Sequence, residues 1–463
     1  MARRLNSIAL CVIIGLCILL IYASNRISSP SFASAPPPDE YVRSMKMHRH
    51  REYHHQPYQN RNFNELDANR HSAKYNQLMH PHNTEQRSQY FSNRRFGNGN
   101  SDISTAETTN FINISIRIED VIDAQRRRIA SKMRDFEYTE QMIGLNALTP
   151  ETNGQPIQSI IFSTWRSGST FLGDILNAMP GNYYHYEPLI YYDIQQIREP
   201  PKSDEALNVL RQLLKCNYTS LDEYLNYAQS HNNVFSHNVR LWRNCETHPQ
   251  FCYETKFLNA FCRLFPFQSM KVVRLRTALA EPFLIDSSLN AKILLLARDP
   301  RGTVQSRKHR DWCPGNPDCD NPAILCQDMV SDYKAAEILV KNYPARFKVV
   351  RYEDLSLEPF KLTKEILTFY GLPFDPAIED FLDSHTRTDI GGVSSTFRDS
   401  KTAPFHWMRD LAFDEIDSIQ QQCTEAMKLW GYRKADNEDM LLTNIFNPML
   451  SYSFGSHNET IKT

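Results

Sequence analysis

Two short stretches of this chain carry residues suited to gripping anions. Arg166, Ser167, Gly168, Ser169 and Thr170 form one, preceded by Thr164 and Trp165. Arg298, Asp299, Pro300 and Arg301, followed by Ser306 and Arg307, form the other. Guanidinium groups and hydroxyls bind phosphate-like groups through charge-assisted hydrogen bonds. Gly168 lets the backbone approach an anion closely. If a helix begins at Ser169, its first N–H groups lack internal partners and its dipole favours negative charge there. Set beside the Walker pattern G-x-x-x-x-G-K-[ST], Ser163 stands at the first glycine and Ser169 at the lysine. The lysine that would reach a triphosphate is absent, and the cation comes earlier, at Arg166. The expected ligand is an anion other than ATP held in the usual way. Taken singly, the first stretch is equally an ordinary strand-turn-helix and the second a salt-bridged surface turn. Together they suggest a ligand with two separated anionic groups.

Both stretches come directly after apolar runs that read as buried strands, Ile160–Phe162 and Ile293–Ala297. After the first, Phe171, Leu172, Ile175, Leu176 and Met179 recur at helical spacing. Strands are predicted over 159–164, 270–275, 292–297 and 347–351. Helices are predicted over 169–179, 328–343, 358–370 and 413–430. Such alternation implies a P-loop-like α/β fold, a mostly parallel sheet flanked by helices. Ligands of such sheets bind outside the carboxyl ends of the strands, where both stretches fall. No internal repeat is evident.

The rest of the 463 residues divides into unlike parts. Residues 1–7, with Arg3 and Arg4, read as a cytosolic tail. Residues 8–24 read as a signal-anchor helix, whose apolar run from Ile8 to Ala23 would be about 24 Å long at 1.5 Å per residue and suited to a thin early-secretory membrane. The positive-inside rule sends the chain beyond the anchor into the lumen. A cleaved signal peptide, cut near Ala33-Ser34-Ala35, is the alternative. Residues 25–150 read as a lumenal stem, largely disordered, with a charged helix near 116–145. Its histidines, among them His48, His50, His54 and His55, lack regular spacing and read as part of a solvated linker. The folded domain is placed at 155–433, with a tail over 434–463. Asn113, Asn217 and Asn458 begin N-glycosylation triplets. Eight of the ten cysteines lie beyond the apolar run, an even number that suggests disulfides without giving their pairing. No metal site is expected. The net charge of -1 is uninformative as a whole, and no nucleic-acid partner is expected.

The sequence resembles the Golgi carbohydrate sulfotransferases, in the branch that sulfates the 6-hydroxyl of galactose, N-acetylglucosamine or N-acetylgalactosamine. The likeness rests on Arg166 to Phe171 (R-[ST]-G-S-[ST]-F) and Arg298 to Arg307 (R-D-P-R-x-x-x-x-S-R). It extends through Tyr186-Glu187-Pro188-Leu189, Arg351 to Leu355, Trp407 to Arg409 and Cys423 to Tyr432. The resemblance implies 3′-phosphoadenylyl sulfate (PAPS) as donor and a glycan or proteoglycan as acceptor. It also implies a type II Golgi membrane protein with a lumenal catalytic domain. Oligomeric state is left open, a homo-oligomer included. The first turn, Thr164 to Thr170, would hold the 5′-phosphosulfate. The second, Arg298 to Arg301 with Ser306, would hold the 3′-phosphate.

Sulfuryl transfer needs alignment and charge stabilisation more than covalent help. Arg166 is assigned to the charge growing on the leaving phosphate. Glu187 is assigned as the base for the attacking hydroxyl, its pKa expected to rise by partial desolvation, with His185 as the competing base. Arg351 and Glu353 are expected to hold a loop. Arg398, Lys401 and Arg409 would face an acidic acceptor or solvent. Residues 312–326 are expected to form a disulfide-tied loop near the acceptor, and Trp165 a wall beside the donor. Two other readings compete: a P-loop-like small-molecule kinase, and a membrane-anchored glycan-binding protein without turnover.

Overall fold

The computed structural model describes residues 116–140, 142–387, 396–442, 446–452 and 454. The predicted tail, anchor, stem to residue 115 and the Asn113 and Asn458 triplets lie outside them. Among the described residues no helix is long and apolar enough to cross a membrane.

The core is built on five strands: β1 (Ile157–Phe162), β2 (Asn182–Tyr186), β3 (Phe267–Val272), β4 (Ala291–Ala297) and β5 (Phe347–Arg351). All pairings are parallel, in the order β2-β3-β1-β4-β5. β1 lies in the middle with every residue buried, and its second half, Ile160–Phe162, is the apolar run read from the sequence. Its buried Gln158 donates from Nε2 to Leu214 O at 2.7 Å and to Gln268 Oε1 at 3.1 Å. Phe162 pairs with Val272 and with Leu295, so β1, β3 and β4 end almost level. The segments leaving these three strands therefore converge on one edge of the sheet.

β1 ends two residues before the predicted strand, because Ser163 already turns and donates from Oγ to Leu296 O at 2.7 Å. β3 ends three residues early, which releases Arg274 and Arg276 from the ladder. β2 is absent from the predicted strands. Its sequence, NYYHY, buries ring faces rather than aliphatic chains, and Tyr183 satisfies its hydroxyl against Tyr218 at 2.9 Å.

Seven helices matter here: α1 (Ile118–Lys132), α2 (Ser169–Ala178), α3 (Pro300–Lys308), α4 (Pro322–Asn342), α5 (Pro359–Tyr370), α6 (Pro376–Thr386) and α7 (Phe413–Gln422). α1 buries Val121, Ile122 and Ile129, so this helix joins the core. The helix predicted over 413–430 is interrupted at Cys423 and resumes as Thr424–Trp430. Beyond residue 433, Met449 bridges back to Tyr432, and the rings of Tyr452 and Phe454 lie 6.4 and 6.0 Å from Trp430.

The eight downstream cysteines form four disulfides, 216–262, 245–252, 313–319 and 326–423. The expected tied loop is closed by Cys313–Cys319. Cys326 leaves it to join α4 to the break after α7. That bond spans 97 residues. Its removal in a Cys326→Ser/Cys423→Ser double variant should cost about 2–5 kcal/mol in denaturant unfolding. An unchanged midpoint would show that packing alone holds this junction.

Candidate active site

The turn after β1 carries two left-handed residues, Arg166 (φ 68°) and Gly168 (φ 84°). A Cβ on Gly168 would meet the Tyr352 ring at 2.1 Å, so only glycine fits. Arg166 has no such exemption, and its backbone strain is of the kind that accumulates at functional turns. Its Nε donates to Ser306 Oγ on α3 at 3.0 Å. Its carbonyl accepts from Arg298 Nη1 at 2.8 Å. The two predicted anion turns therefore meet and are not separate. The Arg298 guanidinium lies 4.8 Å from the Tyr352 ring centroid, and its buried Nε has no hydrogen-bond partner among the described residues. Burial, then the charges of Arg310 and Arg298, push the Arg166 pKa down to about 9. An anion bound between these groups would relieve that repulsion and satisfy the Arg298 N–H.

Other predicted donor contacts face elsewhere. Asp299 and Arg301 are buried and pair with each other, Arg301 Nη2 donating to Asp299 Oδ2 at 2.7 Å. Arg301 also donates to Gln420 and to the Arg433 carbonyl, and stacks 4.0 Å from Trp407. Asp299 caps α3 by accepting from Arg301 N. Pro300 is the buried first residue of that helix. These three build the turn from inside, which corrects their assignment to the 3′-phosphate. Trp165 is 4% exposed and packs with Val273 and the Cys313–Cys319 loop, so it is core rather than a donor wall. Thr164 accepts from Arg307 Nη2 at 2.8 Å. Ser167 and Ser169 are buried, and Thr170 is half-buried in the first turn of α2.

Glu187 stands just after β2 with φ 40°. Its Oε1 accepts from Lys271 Nζ at 2.8 Å and its Oε2 from Arg274 Nη1 at 2.8 Å. Burial alone would raise its pKa, as expected from the sequence. The Lys271 and Arg274 charges and hydrogen bonds outweigh burial and hold it down at about 2. The expected rise is thus reversed. His185 is buried, its pKa pushed down to about 3 by desolvation, and its Nε2 has no partner among the described residues.

Sequence motifs assign no role to Lys271, Arg274 or Tyr352. A lysine inside the run Met270-Lys271-Val272-Val273 was the available signal, since a buried lysine needs a charged partner. Glu353 accepts from Asp299 N and from the Tyr432 hydroxyl, while Arg351 reaches Asp354 and the Trp430 and Gly431 carbonyls. Both hold loops, as expected. Lys401 and Arg409 are exposed. Asn217 is half-buried at a turn, accepting from Thr219 N at 3.1 Å and donating to Gln212.

The sequence pattern of the sulfotransferase domain matches residues 156–431, from just before β1 to just past the helix Thr424–Trp430. The chain belongs to the sulfotransferase domain family. Mouse carbohydrate sulfotransferase 5 is 25% identical to this sulfotransferase over 334 residues, 63% of this chain and 84% of that protein. Human carbohydrate sulfotransferase 6 is 25% identical, over 61% of this chain and 82% of that protein. Human carbohydrate sulfotransferase 3 is 24% identical, over 64% and 71%. This sulfotransferase takes PAPS as its co-substrate. Among its described residues no cluster of His, Cys, Asp or Glu could hold a metal ion.

This geometry generates two expectations. Gly168→Ala should weaken binding of adenosine 3′,5′-bisphosphate (PAP) about tenfold or more, because the turn must open by more than the strain of a positive φ alone. Isothermal calorimetry checks it, and wild-type affinity would refute the tight approach of Tyr352. The Glu187 pairs contribute stability above the unfolded carboxyl pKa of about 4.3. That contribution is lost as pH falls towards the folded value of about 2. The stability gap between wild type and Glu187→Gln should be constant from pH 8 to 6 and narrow by pH 3. An unchanging gap would refute the depressed pKa.

Proposed function

We propose that this sulfotransferase transfers the sulfuryl group of PAPS to the 6-hydroxyl of a galactose, N-acetylgalactosamine or N-acetylglucosamine residue in a glycan. We place it in the Golgi membrane as a type II protein with its catalytic body in the lumen. The observation that carries the chemistry is the meeting of Arg166, Arg298 and Ser306 beyond β1 and β4, with Lys271 linking the Glu187 carboxylate to Thr170 of the same turn. The glycan acceptor is supported by the three relatives named above, each a carbohydrate sulfotransferase. The lumen is supported by the four disulfides, which persist in oxidising compartments. The apolar run at 8–24 supports the anchor.

In this reading Arg298 and Ser306 hold the 3′-phosphate. The Ser169 and Thr170 N–H groups and hydroxyls hold the 5′ side with Arg166. The contact between Arg166 and Ser306 suits a donor whose two phosphates sit on one ribose. Arg166 stabilises the charge that grows on the leaving phosphate as the sulfur–oxygen bond breaks. A sugar hydroxyl attacks sulfur from the opposite side and must be oriented. Glu187 keeps free lone pairs on both oxygens after pairing with Lys271 and Arg274, and it is 13% exposed. It accepts the hydroxyl's hydrogen bond and then its proton. The proton becomes strongly acidic only as the oxygen bonds sulfur, so a weak base suffices in a loose transition state.

The test is 35S transfer from labelled PAPS to unsulfated chondroitin and keratan oligosaccharides, with the sulfated position assigned by NMR. Wild type should label a 6-hydroxyl. Glu187→Gln should lose about a hundredfold or more in kcat with PAP affinity retained. Binding of glycans without transfer would instead favour a lectin-like role. Transfer of phosphate from ATP would favour a kinase. Turnover retained in Glu187→Gln would remove Glu187 from the mechanism.

A further inference from the structure

Lys271 lies within β3 and pairs across the ladder with Ile161 of β1 and Tyr186 of β2. Its side chain is 1% exposed. Burial disfavours the charged ammonium, yet Glu187 above all the other neighbours, then Tyr186, keeps its pKa raised, so it stays charged at neutral pH. One N–H goes to Glu187 Oε1 at 2.8 Å and another to Thr170 Oγ1 at 3.0 Å. The Nζ also lies 3.9 Å from the Tyr186 ring centroid. A single buried cation thus touches the carboxylate on one side and the first turn of α2 on the other.

The direction of the second bond has a consequence for Thr170. An ammonium has only donors, so Thr170 Oγ1 must accept. Its own hydrogen is left to donate, and among the described residues no hydrogen bond from it to a protein acceptor is formed. A hydroxyl that accepts from a cation becomes a stronger donor. Thr170 is the second residue of α2, so that O–H stands beside the helix N–H groups. The same arrangement recurs twice in the site. Arg307 donates to Thr164 Oγ1 and Arg166 to Ser306 Oγ. In a Walker turn the hydroxyl at the Thr170 position faces a magnesium ion. In this chain an ammonium from the neighbouring strand takes that lone pair.

We propose that Lys271 is a positioning residue for sulfuryl transfer. It sets the Thr170 hydroxyl as a donor to the 5′-phosphosulfate and holds Glu187 on the acceptor side. It serves as the fixed cation that a metal ion supplies in a Walker turn. This role rests on the site being that of a sulfotransferase with the donor held as proposed. A lysine that merely tied β2 to β3 would leave the Thr170 hydroxyl without a part in donor binding.

The experiment uses the full chain in detergent, with 35S-labelled PAPS and unsulfated chondroitin and keratan oligosaccharides. Thr170→Val should raise the donor KM about tenfold and leave the acceptor KM unchanged, the loss of one hydrogen bond to a charged group. Thr170→Ser, which keeps the hydroxyl, should stay within about twofold of wild type. Lys271→Met should lower kcat/KM for the donor about a hundredfold in the wild-type background and only about tenfold in the Thr170→Val background, because the two share one interaction. EDTA should leave the wild-type rate unchanged. Equal losses in both backgrounds, or Thr170→Val indistinguishable from Thr170→Ser, would overturn the proposal. So would EDTA inactivation reversed by magnesium. If Lys271→Met fails to fold, PAP calorimetry on the two Thr170 variants decides by the same criterion. Wild type that neither binds PAP nor transfers sulfate would sink the sulfotransferase reading and this inference with it. Wild-type transfer with unaltered Thr170→Val kinetics would sink this inference alone.

Discussion

Taking a guanidinium or ammonium group out of water costs several kcal/mol unless protein groups replace the lost hydration. This sheet edge buries many of them. Lys271, Arg274, Arg276, Arg298, Arg301, Arg307 and Arg351 are all below 10% exposed. How each is compensated separates two jobs. Arg301 is matched by Asp299, Arg276 by Asp328 and Asp332, and Arg351 by Asp354. These are closed ion pairs that fix backbone. Arg298 is met by a carbonyl and a tyrosine face, and Arg307 by carbonyls and a hydroxyl. Neutral groups leave net positive charge, and for Arg307 burial, then the Arg276 charge, lowers the pKa to about 9. A site for a multiply charged anion needs that surplus, and the carboxylate-matched cations around it make the surplus tolerable.

The turn after β1 is also held from behind. Arg307 reaches Thr164 Oγ1, the Trp165 carbonyl and the Cys319 carbonyl. It therefore fastens the turn after β1 to the loop closed by Cys313–Cys319. That loop is fastened in turn through Asp318, which accepts from Gln196 N and Arg198, while Arg198 also grips Asp328 on α4. Asp328 returns to Arg276, four residues beyond β3, whose Nη2 donates to the Ser163 carbonyl. The circuit begins and ends at the same turn. A strained residue such as Arg166 persists only where surroundings over-determine it, and this circuit supplies the surroundings.

What the sequence could show depended on distance along the chain. β1 and β4 were legible through Ile160–Phe162 and Ile293–Ala297, the continuous apolar stretches that strands buried on both faces carry. The two anion turns were legible because each lies within ten residues of its strand. Asp299 and Arg301 were misassigned because a motif does not say which way a side chain turns. A sharper local reading was available, since Asp before Pro is a common helix start and implies a cap. The pKa of Glu187 was misjudged for a different reason. Its two cations lie more than eighty residues later and arrive only because β3 pairs with β2, and β2 had no aliphatic pattern to announce it. Disulfide 326–423 is long-range in the same way.

Where a charge is mounted determines how much it must reorganise. A Walker lysine belongs to the loop that wraps the phosphates, so its position depends on that loop's conformation. Lys271 is mounted in a strand whose ladder is closed on both sides, by β1 and by β2. Its ammonium is additionally fixed by Glu187, Thr170 and Tyr186. Charges that are already in place when bonds change contribute most to lowering a barrier, because no reorganisation is charged to the reaction. A sulfuryl group moving between two oxygens presents less charge than a triphosphate, so fewer and better-fixed cations meet its needs. Moving the lysine from loop to strand while keeping the hydroxyl at Thr170 is how this turn provides them.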